Sequence, residues 1–511
     1  MRRLRPYLWP AEGLRETTAR WILPAAVIGV VAGLGAAGLF GLLHLCTEWL
    51  LEGIGGYTPY RTSAEGGFEE MESSGRPWAV PLVSAGGALV AAALVVWLAP
   101  EARGHGTDSA IEAAHEAPAG MRGRVPLVKL TASALTIGSG GSGGTEGPAA
   151  QISAAFGSVI ARRTGMSRAQ ARTALVIGLA SGVGAIFQAP LGGALLGAEL
   201  LYRKDMDTSV LPKALVASCA GWGVFGACFG FDPALGSHPG EGVASVEGFA
   251  LLAVVGLVAG LAGRLYTTAF YAVHERAEKH ARSPLARLAL PALAGLLVGV
   301  LGLAVPGVLG TGYGLMEGLT DREVMLGIPL WLLLLIPLAK IAGTALTVGS
   351  GGSGGIFGPC MVVGAGVGAV VWRLAEPLGV APESPFIPIV VGMAACLGPV
   401  ANAPLGVLVM TAEMVGDAGV LGPGILAVLC AAAVTRDTTI YRSQRHRWAE
   451  AGTSEPGPGP EGSPKPEGSP GPEGSPGPEG SPGPEPLPGQ LPGMRGAPTV
   501  EGGPVPERPP A

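Results

Sequence analysis

Glu146 is the residue whose surroundings could do chemistry. It lies in the stretch Thr-Ile-Gly-Ser-Gly-Gly-Ser-Gly-Gly-Thr-Glu-Gly-Pro (136–148), a glycine loop between apolar segments, where an uncompensated charge is expensive. Pro148 suits the first turn of a helix running from Ala149, because its missing N–H would be an orphan donor there anyway. Glu146 is then expected just before a helix N-terminus. The glycines remove side chains so that backbone N–H groups can converge, and with the helix dipole they make a site that favours an anion. A carboxylate fixed there can occupy the site itself.

The stretch occurs twice. Residues 337–359 align without gaps on 126–148, with 15 of 23 positions identical, and Thr145-Glu146 becomes Ile356-Phe357. The second copy keeps the backbone pattern and loses the charge. Further on, Gln188-Ala-Pro-Leu-Gly192 matches Asn402-Ala-Pro-Leu-Gly406, and Glu199 matches Glu413, at an offset of 214 against 211 for the glycine loops. Glu199 and Glu413 are candidates for a proton pathway. Each also ends an apolar helix, where a carboxylate can reach backbone amides or water, and retention in both halves favours that structural role.

Two further groups carry polar chemistry. Gly104-His105-Gly106-Thr107-Asp108 offers His105 for ligand contact, or a helix start with Thr107, Asp108 or Ser109 as N-cap. Tyr441 follows the last apolar run, a position typical of an interfacial aromatic anchor. The six cysteines stand singly in apolar stretches without CxxC pairs or a histidine at ligand spacing, and read as small buried hydrophobes. No nucleophile with a paired base is present, so neither an enzyme nor a metal or other cofactor is expected.

The elements that must position these residues are membrane spans. Of 511 residues 48% are hydrophobic and only 14% charged, and the mean hydropathy is +0.43, too apolar for a soluble protein of this size. Runs able to span about 30 Å of hydrocarbon include Trp21–Leu43, Trp78–Leu98, Phe249–Val273 and Leu288–Val305. Shorter apolar pieces broken by Gly and Pro lie between them, a pattern tolerated at membrane depth only around a cavity or pathway. Arg2, Arg3, Arg5, Arg15 and Arg20 put the N-terminus in the cytoplasm under the positive-inside rule. The helix after Glu146 runs into Arg162, Arg163, Arg168 and Arg172, whereas its copy meets Arg373, Glu376 and Glu383. The two copies thus leave the membrane on opposite faces, as in an inverted-topology repeat with its site near the midplane. The expected organisation is a cytoplasmic arm (1–20), a first transmembrane half (21–273), a cytoplasmic linker (274–287), a second half (288–448) and a disordered, cytoplasmic Pro/Gly/Glu/Ser tail (449–511). The partner surface is the lipid bilayer of the cell membrane, and no nucleic-acid partner is expected.

Gly144-Thr-Glu-Gly-Pro148, Gly355-Ile-Phe-Gly-Pro359, the two Ala-Pro-Leu blocks and Tyr441 together resemble the CLC family of chloride channels and proton/chloride exchangers, over roughly residues 20–448. The likeness is to its prokaryotic type, since the tail begins where the paired regulatory CBS domains would start. The resemblance implies an all-α polytopic fold with broken helices and a homodimer with an anion pathway in each subunit. It makes Glu146 the gating glutamate and puts His105, Gly106, Thr107, Thr145, Gly147, Ile356, Phe357, Gly358 and Tyr441 around the anion. Two departures matter. The family's G-S-G-I-P is here Gly104-His105-Gly106-Thr107-Asp108, which puts His105 in the serine's place if the glycines are matched, or Gly106 if the register follows Ile111-Glu112. The exchangers' inner proton-transfer glutamate falls on Leu200, beside Glu199. The leading expectation is passive or weakly coupled chloride permeation by a glutamate-gated channel of the voltage-gated type. The alternatives are a proton-coupled chloride or fluoride antiporter and, in another class, a scaffold or receptor.

Overall fold

The computed structural model describes residues 14–62, 75–236, 245–305 and 307–447, with the side chains of 14–19 left aside. The arginines at positions 2, 3 and 5, the acidic residues from 65 to 72 and the whole low-complexity tail lie outside the described residues. The description below concerns the unit Met1–Thr453 alone.

In hydrocarbon a backbone must satisfy its own hydrogen bonds, which leaves helices as the default. Seventeen α-helices follow one another among the described residues. The first half holds α1 (Leu14–Cys46, continued by a π-helical stretch Thr47–Ile54), α2 (Ala79–Leu98), α3 (Thr107–Glu116), α4 (Val125–Gly138), α5 (Glu146–Thr164), α6 (Arg168–Ile186), α7 (Pro190–Glu199) and α8 (Leu211–Phe229). The second holds α9 (Val246–His280), α10 (Pro284–Ala304), α11 (Tyr313–Gly318), α12 (Arg322–Gly327), α13 (Leu330–Gly349), α14 (Phe357–Ala375), α15 (Phe386–Ala401), α16 (Pro404–Met414) and α17 (Leu421–Thr435); α9 packs against α13, α14, α15 and α17, so it belongs with the second half and the expected boundary at 273 moves back before Val246. Nine helical stretches are long and apolar enough to cross a membrane, the described residues only being considered, while α4, α15 and α16 are apolar but shorter. The expected linker is partly helical. α9 runs on to His280 and Ser283 caps α10 by accepting from Ala286 N, because 35 residues of helix span about 52 Å and so outreach the bilayer core.

Reciprocal contacts show that the two halves pack about a two-fold axis. A residue pair joined across a two-fold axis must recur with the partners exchanged. Gly144 N donates to Gly355 O at 2.8 Å and Gly355 N to Gly144 O at 2.7 Å, so equivalent glycines pair in an antiparallel bridge. Ser133 Oγ meets Ser353 Oγ at 2.9 Å, and their repeat equivalents Thr344 Oγ1 and Ser142 Oγ meet at 3.0 Å. Between α7 and α16 a methyl on Gly192 would fall 2.3 Å from Met410 Cα, and one on Gly406 would fall 2.6 Å from the amide nitrogen of Leu196. Those two glycines let a pair of repeat-related helices touch backbone to backbone.

The cysteine expectation needs correction. Cys360 and Cys396 are buried side by side, Sγ to Sγ 3.6 Å, but Cys219 and Cys228 on α8 are exposed and Cys46 and Cys430 half-buried. An apolar position in a membrane protein need not be interior, because lipid is as apolar as the core.

Candidate functional site

Helices α5 and α14 begin at equivalent points on either side of the Gly144–Gly355 bridge. The helix starts earlier than the proline signals, at Glu146 itself with Thr145 as N-cap, and neither Thr145 nor Ile356 makes a side-chain cap. First-turn N–H groups of both helices are thus left to whatever occupies the space between them. Glu146 occupies it. Its carboxylate is buried, Oε2 accepts from Gly358 N at 3.1 Å and Oε1 from Thr145 Oγ1 at 3.3 Å. A side chain on Gly144 would collide with that carboxylate, its Cβ lying 2.2 Å from Oε2.

Two glycine loops close the site from opposite sides. Gly106 is the N-cap of α3 with φ of 86°, and Gly312 is the N-cap of α11 with φ of 82°, values in the region open to glycine. This overturns Thr107, Asp108 and Ser109 as caps. Thr107 already lies in the helix, and Asp108 Oδ1 instead accepts from Ser443 N at 2.9 Å. Gly147, the glycine after Glu146, abuts the first loop, since a methyl there would lie 2.2 Å from His105 O; its equivalent Gly358 abuts the second through the Tyr313 hydroxyl at 2.0 Å.

A buried lysine holds each loop. Lys129 Nζ donates to Ala102 O (3.1 Å) and Gly104 O (2.5 Å). Its repeat equivalent Lys340 donates to Gly307 O, Val308 O and Gly310 O at 3.3, 3.1 and 3.0 Å. Both side chains are buried. Sequence reasoning passed over this pair. The signal was there, two lysines at identical places in the repeated block.

On the first-loop side stand Tyr441, His105 and Thr107. Tyr441 is fully buried, which replaces the interfacial-anchor reading. The His105 ring is 5.8 Å from the Tyr441 ring and 5.9 Å from Phe270, centroid to centroid. Gly106 packs against α5, a methyl there falling 2.9 Å from Gly147 O. His105 Nδ1 and the Tyr441 hydroxyl have no hydrogen-bond partner among the described residues. Tyr266 and Tyr271, unnoticed in the sequence, fix the backbone here by donating to Ile356 O (2.7 Å) and Ile440 O (2.8 Å). The Phe357 ring packs on Phe187 at 5.8 Å. On the other side a cavity of 540 Å³ is lined by Thr145, Phe187, Tyr313, His44 and Glu48 among others.

Glu199 and Glu413 stand apart from this cluster and serve each other's helices. Glu199, at the end of α7, accepts from Gly406 N (2.7 Å) and Leu405 N (3.4 Å) at the start of α16. Glu413, near the end of α16, accepts from Gly192 N (2.6 Å) and Leu191 N (3.1 Å) at the start of α7. Each carboxylate caps the N-terminus of the opposite half's helix, where the dipole favours it.

A broken-helix inverted repeat whose helix N-termini converge on a buried carboxylate defines a membrane transport protein of the anion-handling class. Residues 87–436 match the family described as voltage gated chloride channel. The protein belongs to that family. It is 29% identical over 435 residues to the voltage-gated ClC-type chloride channel ClcB of Escherichia coli O9:H4 (strain HS), covering 84% of this chain and 98% of the relative. Its fold matches that of a slow cyanobacterial Cl−/H+ antiporter with a TM-score of 0.69 at 21% identity, over 82% of this chain and 96% of the other. A CLC-type fluoride/proton antiporter matches equally well, with a TM-score of 0.69 at 21% identity over 85% of this chain and 100% of the other.

Proposed function

We propose that the protein passes chloride down its gradient through one pathway per subunit, gated by Glu146 and without tight coupling to protons. The observation that carries this reading is the Glu146 carboxylate on Gly358 N, where it fills the position that the helix N-termini prepare for an anion. Chloride and the carboxylate compete for one site, and protonating Glu146 vacates it. Ile356, Phe357, Gly358, Thr145 and Gly147 supply backbone around the anion, and His105, Gly106, Thr107 and Tyr441 line its cytoplasmic approach. The chain lies in the cell membrane as a homodimer with both termini in the cytoplasm, and the reading involves no enzymatic step.

Weak coupling rests on the cytoplasmic side. Leu200 is buried and holds no proton, and Glu199 is committed to the amides of Leu405 and Gly406. One observation favours the second reading, a proton-coupled antiporter for chloride or fluoride. His274 stacks on Phe270 at 5.8 Å, His105 meets the same ring, and both imidazoles present a buried Nδ1 without a hydrogen-bond partner among the described residues. In liposomes with a chloride gradient and no pH gradient, the proposal expects chloride efflux with little proton movement. Uphill proton pumping at a fixed ratio to chloride would establish the antiporter instead, and fluoride replacing chloride in the same vesicles tests the substrate.

A further inference from the structure

Gly310-Thr311-Gly312-Tyr313 occupies in the second half the place that Gly104-His105-Gly106-Thr107 occupies in the first. Gly104 and Gly310 share positive φ (73° and 64°), as do Gly106 and Gly312, and the carbonyls of Gly104 and Gly310 both accept from the repeat-related lysines. The first loop lines the approach that holds Tyr441. By the symmetry of the fold the second lines the opposite approach, and its first helical residue is a tyrosine.

The Tyr313 hydroxyl is buried and has no hydrogen-bond partner among the described residues. A methyl on Gly358 would lie 2.0 Å from this oxygen and 2.7 Å from Glu146 Oε1, so the two oxygens are at most 4.7 Å apart, the sum of those distances. The ring is held against Phe187, 6.2 Å between centroids. Oε1 accepts from Thr145 Oγ1 at a long 3.3 Å, and the 540 Å³ cavity that Thr145 and Tyr313 both line gives the carboxylate room to turn. A phenol without an acceptor next to a carboxylate that must move aside for the anion is a donor lacking its partner in one state only.

We infer that Tyr313 is the outer docking residue of the gate: when an anion displaces Glu146 from Gly358 N, the carboxylate swings toward the cavity and accepts a hydrogen bond from the Tyr313 hydroxyl. This rests on Glu146 being the gate. Tyr313 is a positioning residue for the unblocked state, acting through Glu146 rather than on the permeating ion. A hydrogen bond to a charged acceptor changes an equilibrium by roughly tenfold or more, so Tyr313→Phe closes the pathway by about that factor.

The test is chloride efflux from liposomes carrying the full chain, with Tyr313→Phe made in the wild type and in Glu146→Ala, and each variant checked for a monodisperse sizing profile. The expected result is an efflux roughly tenfold lower in the wild-type background and no further change in Glu146→Ala, which has no carboxylate to dock. Unchanged efflux in the wild-type background overturns the inference. So does an equal fall in both backgrounds, which would put the hydroxyl on the anion itself. If Glu146→Ala alone keeps wild-type flux and pH dependence, the gate reading fails and takes this inference with it; if Glu146→Ala unblocks the pathway while Tyr313→Phe does nothing, only the docking role fails.

Discussion

Replacing Glu199 by Gln separates a structural carboxylate from a proton carrier. In the wild type Glu199 accepts from Gly406 N at 2.7 Å and from Leu405 N at 3.4 Å. Gln keeps one acceptor oxygen for the short bond but turns an NH2 group toward the second amide and loses the charge. The lost charge-assisted bond costs about 1.5–3 kcal/mol, and the lost attraction to the α16 dipole adds about 0.3–1 kcal/mol. The expected destabilisation is therefore about 2–4 kcal/mol. Glu413→Gln should fall at the lower end, because Glu413 is only half-buried while Glu199 is 6% exposed and solvent weakens such bonds. Both variants are measured by thermal melting in detergent, alongside chloride efflux and proton movement per milligram of monodisperse protein in liposomes. A lower melting temperature with wild-type transport is the expected pair of results. An unshifted Glu199→Gln melt with altered proton movement would refute the capping argument and return Glu199 to the proton pathway.

Other outcomes follow from the same geometry. Wild-type chloride flux should rise as external pH falls, by at most about tenfold per pH unit because one proton is involved, since a neutral Glu146 no longer competes for Gly358 N; Glu146→Gln should flatten that dependence in the liposome assay. Lys340→Met leaves the carbonyls of Gly307, Val308 and Gly310 without their buried donor, which should cost more than about 3 kcal/mol and lower chloride affinity in a calorimetric titration. Lys129→Met, with two carbonyls at stake, should be the milder of the two. Gly406→Ala forces a methyl to 2.6 Å from the Leu196 amide, and overpacking of about 1–3 kcal/mol should appear as a lower melting temperature.

By itself the sequence determined that the chain spans a membrane, that its two halves are copies, and that Glu146 stands at a helix start in a glycine loop. These are legible because each is a local pattern: apolar length, an ungapped repeat, or turn chemistry beside a proline. The same reading placed Glu199 and Glu413 at helix ends, but their partners lie 206 and 207 residues away for Glu199 and 221 and 222 residues away for Glu413. Which helix a carboxylate reaches depends on which faces pack, and composition does not encode that.

Tertiary structure alone decided the rest. Tyr441 looks interfacial in the chain and is buried only because Tyr271 and the α15 backbone, through Ile440 N to Val400 O at 2.8 Å, draw its segment inward. Lys129 and Lys340 sit in apolar helices and become acceptable there once carbonyl oxygens of distant loops surround them. The cysteines of α8 are exposed and those of α14 and α15 buried, although all sit in equally apolar sequence. Hydropathy separates apolar from polar positions, but a membrane protein places apolar side chains against both lipid and core, so burial and the convergence of two helix N-termini on one carboxylate are settled only when the halves fold against each other.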